Sequence, residues 1–196
     1  MGWSKERRLA QAAGEAETQE ARFERTFNDM RSWLPEEVTN FLDIGCGAGG
    51  IAIHVARHYR RATAHLMDGD AQGIARAWRT DGMAWRDVNR ALAAFAKHCP
   101  GIAVRAWPPD PELTIPCELI FSNCSWGHHY PIETYLGLVV RSLKPGGTLI
   151  VDLRLGEHAQ HGREVLARHF EPRVTIETSG KKYMRTVWRS FAIGEG

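Results

Sequence analysis

The stretch Phe41-Leu42-Asp43-Ile44-Gly45-Cys46-Gly47-Ala48-Gly49-Gly50 constrains this chain more than any other. A short apolar run ends in Asp43, glycines crowd the next positions, and a helical pattern opens at Ile51. That order reads as a strand, a tight turn and a helix start. Glycine tolerates positive φ and lets backbone approach a ligand where a Cβ would collide. The first turn of the helix adds free N–H groups and partial positive charge in the same space. The segment therefore predicts a cradle for a small ligand at the carboxyl end of a strand, where open α/β sheets bind ligands.

Two acids sharpen the reading. Asp43 sits two residues before Gly45, at the strand end. A carboxylate there repels a pyrophosphate and suits a cationic or hydroxyl-bearing ligand. Asp68 ends the next strand-like run, Ala64-His65-Leu66-Met67-Asp68. It lies about twenty residues beyond the glycines, where an acidic side chain can hold ribose hydroxyls.

The motif Asp43-Ile44-Gly45-Cys46-Gly47-Ala48-Gly49 resembles motif I of class I S-adenosylmethionine-dependent methyltransferases. Asp68 is similar to their ribose-binding acid, Glu118-Leu119-Ile120-Phe121-Ser122-Asn123 to their fourth strand, and Leu143-Lys144-Pro145-Gly146-Gly147-Thr148-Leu149-Ile150-Val151 to their following turn and fifth strand. The blocks fall in the family order and cover roughly residues 20–192. The resemblance implies an α/β, three-layer Rossmann-like methyltransferase fold. Its seven-stranded sheet would be mostly parallel, with one antiparallel strand in a C-terminal hairpin. It implies S-adenosylmethionine as cofactor and S-adenosylhomocysteine as product. It assigns cofactor contacts to Asp43, Gly45, Cys46, Gly47, Gly49, Asp68 and Gly69, and to Trp107, Asp110 and Asn123 past the third and fourth strands. Trp107 would stack on the adenine and Asp110 accept from its amino group; the alternative is a surface loop stiffened by Pro108, Pro109 and Pro111.

At 196 residues the chain reads as one domain, residues 20–196, behind a polar, frayed or loosely helical segment, residues 1–19. A net charge of +2 without a basic run lacks the electrostatic footprint of a nucleic-acid binder. The cysteines Cys46, Cys99, Cys117 and Cys124 form no C-x-x-C pair and lie among apolar residues, so reduced thiols are expected. No signal-peptide pattern and no long apolar run is seen, which fits a cytoplasmic protein with no membrane partner. Oligomeric state is left open, a homodimer being one option.

Phe23, Phe27, Met30 and Leu34 recur at helical spacing and form a stripe that Pro35 ends. Ile51, Ile53, Val55 and Ala56 bury the helix after the glycines, while His54 and His58 read as solvated rather than as a metal pair, and no metal site is expected. Asp70 is a candidate N-cap, and a second helix with Val88, Leu92 and Phe95 follows Asp81-Gly82; Trp78 and Trp85 read as core or lid aromatics. Strands are expected over residues 102–107, 119–123 and 148–153. A helix is marked by Ile132, Tyr135, Leu136, Val139, Val140 and Leu143, and another by Val165, Leu166 and Phe170. His158 and His161 have no evident partner carboxylate and read as surface residues. Residues 174–178 and 184–193 flank Ser179-Gly180 and predict an antiparallel hairpin.

The stretch Asn123-Cys124-Ser125-Trp126-Gly127-His128-His129-Tyr130-Pro131 reads as a loop facing the same crevice. Methyl transfer from a sulfonium needs alignment and exclusion of water, and a hydroxyl acceptor also needs a base. His128 and His129 are the candidate bases, and Ser125, Trp126 and Tyr130 the candidate acceptor contacts. The Asn/Asp-Pro-Pro-aromatic turn of amino-methylating relatives is missing, since Cys124 and Ser125 stand where its prolines would be. The leading expectation is transfer to a small molecule at oxygen, of a sugar or secondary metabolite, with no nucleic-acid partner. The rivals are an RNA or protein methyltransferase, and a non-catalytic cofactor-binding subunit.

Overall fold

The computed structural model describes residues 20–68, 88–176 and 182–191. Gly69, Asp70, Trp78, Trp85, Asp81-Gly82, residues 1–19 and the Ser179-Gly180 turn lie outside the described residues.

Helix α1 covers residues 20–31. Its apolar stripe is seated as the spacing predicts: Phe27 and Met30 are buried, and the Phe23 ring lies against Gly50. Pro35 follows the last turn and cannot continue a helix. Then come β1 (Asn40–Ile44), α2 (Gly50–His58), β2 (Thr63–Met67), α3 (Val88–His98), β3 (Val104–Trp107), β4 (Cys117–Ser122) and β5 (Ser125–Tyr130). The chain closes with α4 (Glu133–Ser142), β6 (Leu143–Arg154), α5 (Glu157–Ala167), β7 (Phe170–Ile176) and β8 (Tyr183–Ser190).

One seven-stranded sheet runs in the order β3-β2-β1-β4-β6-β8-β7. Neighbours from β3 to β6 are parallel, and β8 is antiparallel to both β6 and β7. The expected sheet, with one reversed strand in a C-terminal hairpin, is the one observed. The chain winds outward from β1 to β3, then returns to place β4 on the other side of β1. The crevice at that reversal, beside the carboxyl end of β1, is where such sheets hold ligands.

Two cores sandwich the sheet. One joins Phe27 and Met30 of α1, Ile51 and Val55 of α2, and Phe95 of α3 to Phe41, Leu66 and Phe121 of the sheet. The other joins Tyr135 and Leu138 of α4 and Leu166 of α5 to Leu42, Ile120 and Leu149. Both faces of a parallel sheet must be covered in this way, and the near-continuous apolar runs of β1, β4 and β6 reflect it.

The structure departs from the expectations in several places. The stretch after β4 is not a loop but the extended β5, which lies outside the sheet order. Trp126 explains why: it is fully buried, its Nε1 donates to the Ile132 carbonyl at 2.8 Å, and its backbone N–H donates to Ser122 Oγ at 2.9 Å. In α4, Leu138 rather than Val140 faces the core; Val140 is exposed. His161 does have a carboxylate partner, with Nε2 at 2.5 Å from Glu133 Oε1 across the α4–α5 gap.

Polar anchors hold the strand ends. Glu118 accepts from Thr39 N–H, Thr39 Oγ1, Asn40 N–H and the Lys144 ammonium. Burial alone would raise its carboxyl, but these donors hold it down to about 2. His65 is 3 % exposed; its Nδ1 accepts from Trp107 Nε1 at 3.0 Å, which leaves Nε2 to donate to Asn40 Oδ1 at 3.2 Å. Burial, and then Arg105, depress this imidazole to about 4.

Between an ordinary histidine value of 6.5 and about 4, the unfolded chain binds a proton that folded His65 refuses. Stability is therefore whole above the upper value and falls as pH drops through the window. The expected loss from this group is about 2 kcal/mol between pH 7 and pH 5. His65→Gln, which keeps a donor and an acceptor, should flatten that slope in urea unfolding. An equal pH slope in the variant would contradict the assignment.

Candidate functional site

The glycine turn is stitched to the neighbouring strand. Gly45 N–H and Cys46 N–H donate to the Met67 carbonyl at 2.7 and 3.1 Å, and Gly49 N–H donates to the Cys46 carbonyl at 2.8 Å. Gly49 then caps α2, accepting from Ile53 N–H at 2.9 Å. Gly47 N–H donates to Asp68 Oδ2. The turn and the acid that the sequence paired are thus in direct contact.

Gly45 and Gly47 both have positive φ, 75° and 56°, which side chains rarely adopt. Their surroundings differ. A Cβ on Gly47 would meet nothing within 4 Å, so the turn presents bare backbone to open space there. A Cβ on Gly45 would fall 1.8 Å from Ser125 Oγ. Ser125 opens β5, and its side chain closes over the start of the turn. Beneath it lies a cavity of about 10 Å³ lined by Ile44, Gly45, Met67, Asp68, Pro109, Ser125, Tyr130 and Tyr135.

The charges at this point are those of two neighbouring acids. Asp43 is 3 % exposed, and burial, followed by the nearby Asp68, pushes its carboxyl well above the usual range. Cys46 is buried beside them; desolvation, then Asp43 and Asp68, drive its thiol strongly up, so it stays protonated and inert. An arrangement that resists negative charge at Asp43, and sets a second acid beside bare backbone at Gly47, favours a ligand carrying a cation and hydroxyls.

The remaining expected site residues divide. Ser125 and Tyr130 line the cavity. Asn123 is turned to Asp152, with Nδ2 at 2.5 Å from Oδ2. Asp110 closes its own turn by accepting from Glu112 N–H at 2.9 Å. Trp107 gives its indole N–H to His65, stacks on that imidazole with centroids 6.0 Å apart, and packs against the second core. Trp126 needs correction: at 0 % exposure it cannot touch an acceptor, and it shapes β5 from inside the core. His128 and His129 are half-buried on β5 with rings 4.6 Å apart, edge to face, and His128 lies 6.0 Å from the Tyr183 ring. The described cavity does not include either imidazole. Among the described residues no cluster of side chains forms a metal site.

Sequence reasoning missed Tyr135 in the cavity wall, and Asp152 with Arg185 behind it. Asp152 was signalled by its place as the one charge in Thr148-Leu149-Ile150-Val151-Asp152-Leu153, a run too apolar to leave it in water. Arg185 carried no comparable signal, because a charge at that position fits an alternating strand.

Replacing Gly47 with Ala should cost about 1–2 kcal/mol, the strain of an L-residue in the left-handed region. Gly45→Ala adds a collision with Ser125, worth about 1–3 kcal/mol more. Ser125→Gly in the Gly45→Ala background should recover that increment. Equal unfolding midpoints for the two single variants would show that Ser125 does not close on the turn.

Comparison with known proteins agrees with this fold. The family model of the methyltransferase small domain matches residues 29–89, from the end of α1 through the glycine turn and Asp68. No curated protein matches the sequence. Among solved structures, the magnesium protoporphyrin IX methyltransferase of Synechocystis PCC 6803, with bound S-adenosylmethionine, is 15% identical with a TM-score of 0.60 over 89% of this chain and 79% of that one. The ribosomal protein L11 methylase of Lactobacillus delbrueckii is 14% identical with a TM-score of 0.60 over 88% and 79%. The cyclase SpnF is 15% identical with a TM-score of 0.60 over 79% and 75%. Among the described residues no helix is long and apolar enough to cross a membrane. The chain has the fold of the class I S-adenosylmethionine-dependent methyltransferases, and its first βαβ portion carries their small-domain signature.

Proposed function

We propose that the protein transfers a methyl group from S-adenosylmethionine to a small molecule, at a hydroxyl oxygen. The observation that carries the cofactor reading is the bare face of Gly47, bonded to Asp68 and set beside a buried Asp43. The residues fit that cofactor. Asp68 offers acceptor atoms to ribose hydroxyls, Gly47 gives a side-chain-free approach, and Asp43 favours a cationic group. When bound, S-adenosylmethionine supplies a methyl group on a sulfonium, already activated for displacement.

The chain's own residues then have three tasks. Tyr130, Tyr135 and Ser125 exclude water above the turn. β5 aligns the acceptor, because it runs from the cavity wall at Ser125 to Tyr130. His128 or His129, on the same strand, takes the acceptor proton, which only a neutral imidazole can do. The net charge of +2 offers little to a polyanion, which favours a small acceptor.

Calorimetry should show S-adenosylhomocysteine binding in the micromolar range and more tightly than NAD. The affinity should tighten as pH rises, because the ligand's cationic group stabilises ionised Asp43, whose carboxyl starts out raised. Asp43→Asn should remove that dependence. Preferred binding of NAD would sink the cofactor reading.

A methyl-acceptor screen across hydroxylated small molecules, RNA and protein tests the rest. With an acceptor in hand, Ala at the catalytic imidazole should keep S-adenosylhomocysteine affinity and lose about 10²–10⁴-fold in transfer. Activity should rise with pH as that imidazole loses its proton. Near-normal turnover in both His128→Ala and His129→Ala would remove histidine from the mechanism.

A further inference from the structure

Arg185 is the most deeply buried cation among the described residues, at 1 % exposure near the start of β8. Its Nε and Nη2 donate to the two oxygens of Asp152 at 2.8 and 3.1 Å. Asp152 Oδ2 also accepts from Asn123 Nδ2 at 2.5 Å and from Cys124 N–H at 3.2 Å. The remaining nitrogen, Nη1, reaches back to α1, 3.4 Å from the Thr26 carbonyl and 3.7 Å from Asp29 Oδ2. One guanidinium therefore touches the N-terminal helix and, through a single carboxylate, the corner between β4 and β5.

That corner is strained. Cys124 has φ 50°, the only positive value at a non-glycine among the described residues. Such a conformation persists only where its surroundings over-determine it. Here the Asp152 carboxylate does so by taking the Cys124 amide. The next residue is Ser125, whose hydroxyl closes on Gly45. The corner thus sets one wall of the candidate cofactor site at the glycine turn. On α1, Thr26 and Asp29 share a face beside the apolar stripe of Phe23, Phe27 and Met30, so the same helix is held by a core contact and by a charge. A buried ion pair is a poor source of net stability and is better at fixing geometry.

We propose that Arg185 is a positioning residue of this site: through Asp152 it holds the strained corner that delivers Ser125 to Gly45, and through Thr26 and Asp29 it seats α1 against that corner. The inference rests on the reading above only in treating the glycine turn as the cofactor site.

Amide exchange on the full chain, read residue by residue, tests it. In Arg185→Met, exchange should speed at least tenfold at Cys124 and across residues 20–31, while Leu42 and Leu119 in the central strands keep their protection. Arg185→Lys, which retains one charged donor, should fall between. Asp29→Asn, which leaves the Asp152 pair intact, should loosen residues 20–31 and leave Cys124 protected. S-adenosylhomocysteine affinity should follow Cys124 protection, in the order wild type, Lys, Met, and should be unchanged in Asp29→Asn. A uniform rise at all four places, central strands included, would mean that the pair only stabilises the fold and would overturn the proposal. So would an unchanged Cys124 in Arg185→Met. Should Arg185→Met not fold, Arg185→Lys and Asp29→Asn decide: parallel loosening of Cys124 and Leu119 in the first, or no change over 20–31 in the second, overturns it. Failure of the wild type to bind S-adenosylhomocysteine would strike the proposed function and leave the exchange pattern to judge Arg185 by itself.

Discussion

Two acids stand at the adjacent carboxyl ends of β1 and β2, and the site is built around the charge they resist. Asp43 is desolvated and lies in the field of Asp68, so its ionised form is costly until something positive arrives. Asp68 is relieved by the Gly47 amide, and the turn that supplies this amide is itself tied to Met67 on β2. Without the glycines the turn could not bend back to give that bond. Without the parallel pairing of β1 with β2, the two carboxylates would not meet.

The far side of the crevice solves a different problem. β5 must leave the end of β4 and cross toward the glycine turn, and a strained Cys124 makes that corner. Ser122 and Trp126 support it from below through the Ser122 hydroxyl, which also donates to the Ile44 carbonyl at 2.8 Å. Asp152 and Arg185 support it from the side. The two halves of the crevice are thus linked twice, by Ser122 at the strand ends and by Ser125 over Gly45.

Much of this was legible in the residues and some was not. Strand and helix identities followed from apolar periodicity, and the glycine turn with its two acids announced itself by spacing. β5 was invisible as a strand because Ser125 to Tyr130 carries no alternating pattern; Trp126 makes it extended by burying its indole, a tertiary effect. The bond from Trp107 to His65, 42 positions away, was hidden because the two meet only in the fold. Arg185 was missed for the same reason: its meaning lies in Asp152 and α1, which are distant in the chain and adjacent only in the fold.

The central claim is that the Gly45–Gly49 turn and Asp68 together form the seat of an adenosyl cofactor. Titrating S-adenosylhomocysteine into isotopically labelled protein while following backbone amide resonances tests it most directly. The account predicts saturable shifts that are largest at Gly47, whose amide exchanges its Asp68 contact for a new surrounding, with smaller shifts at Gly45 and Ser125. Shifts that spare Gly47 and gather instead along the groove of Gly156, Arg163 and Trp188 beside α5 would contradict it.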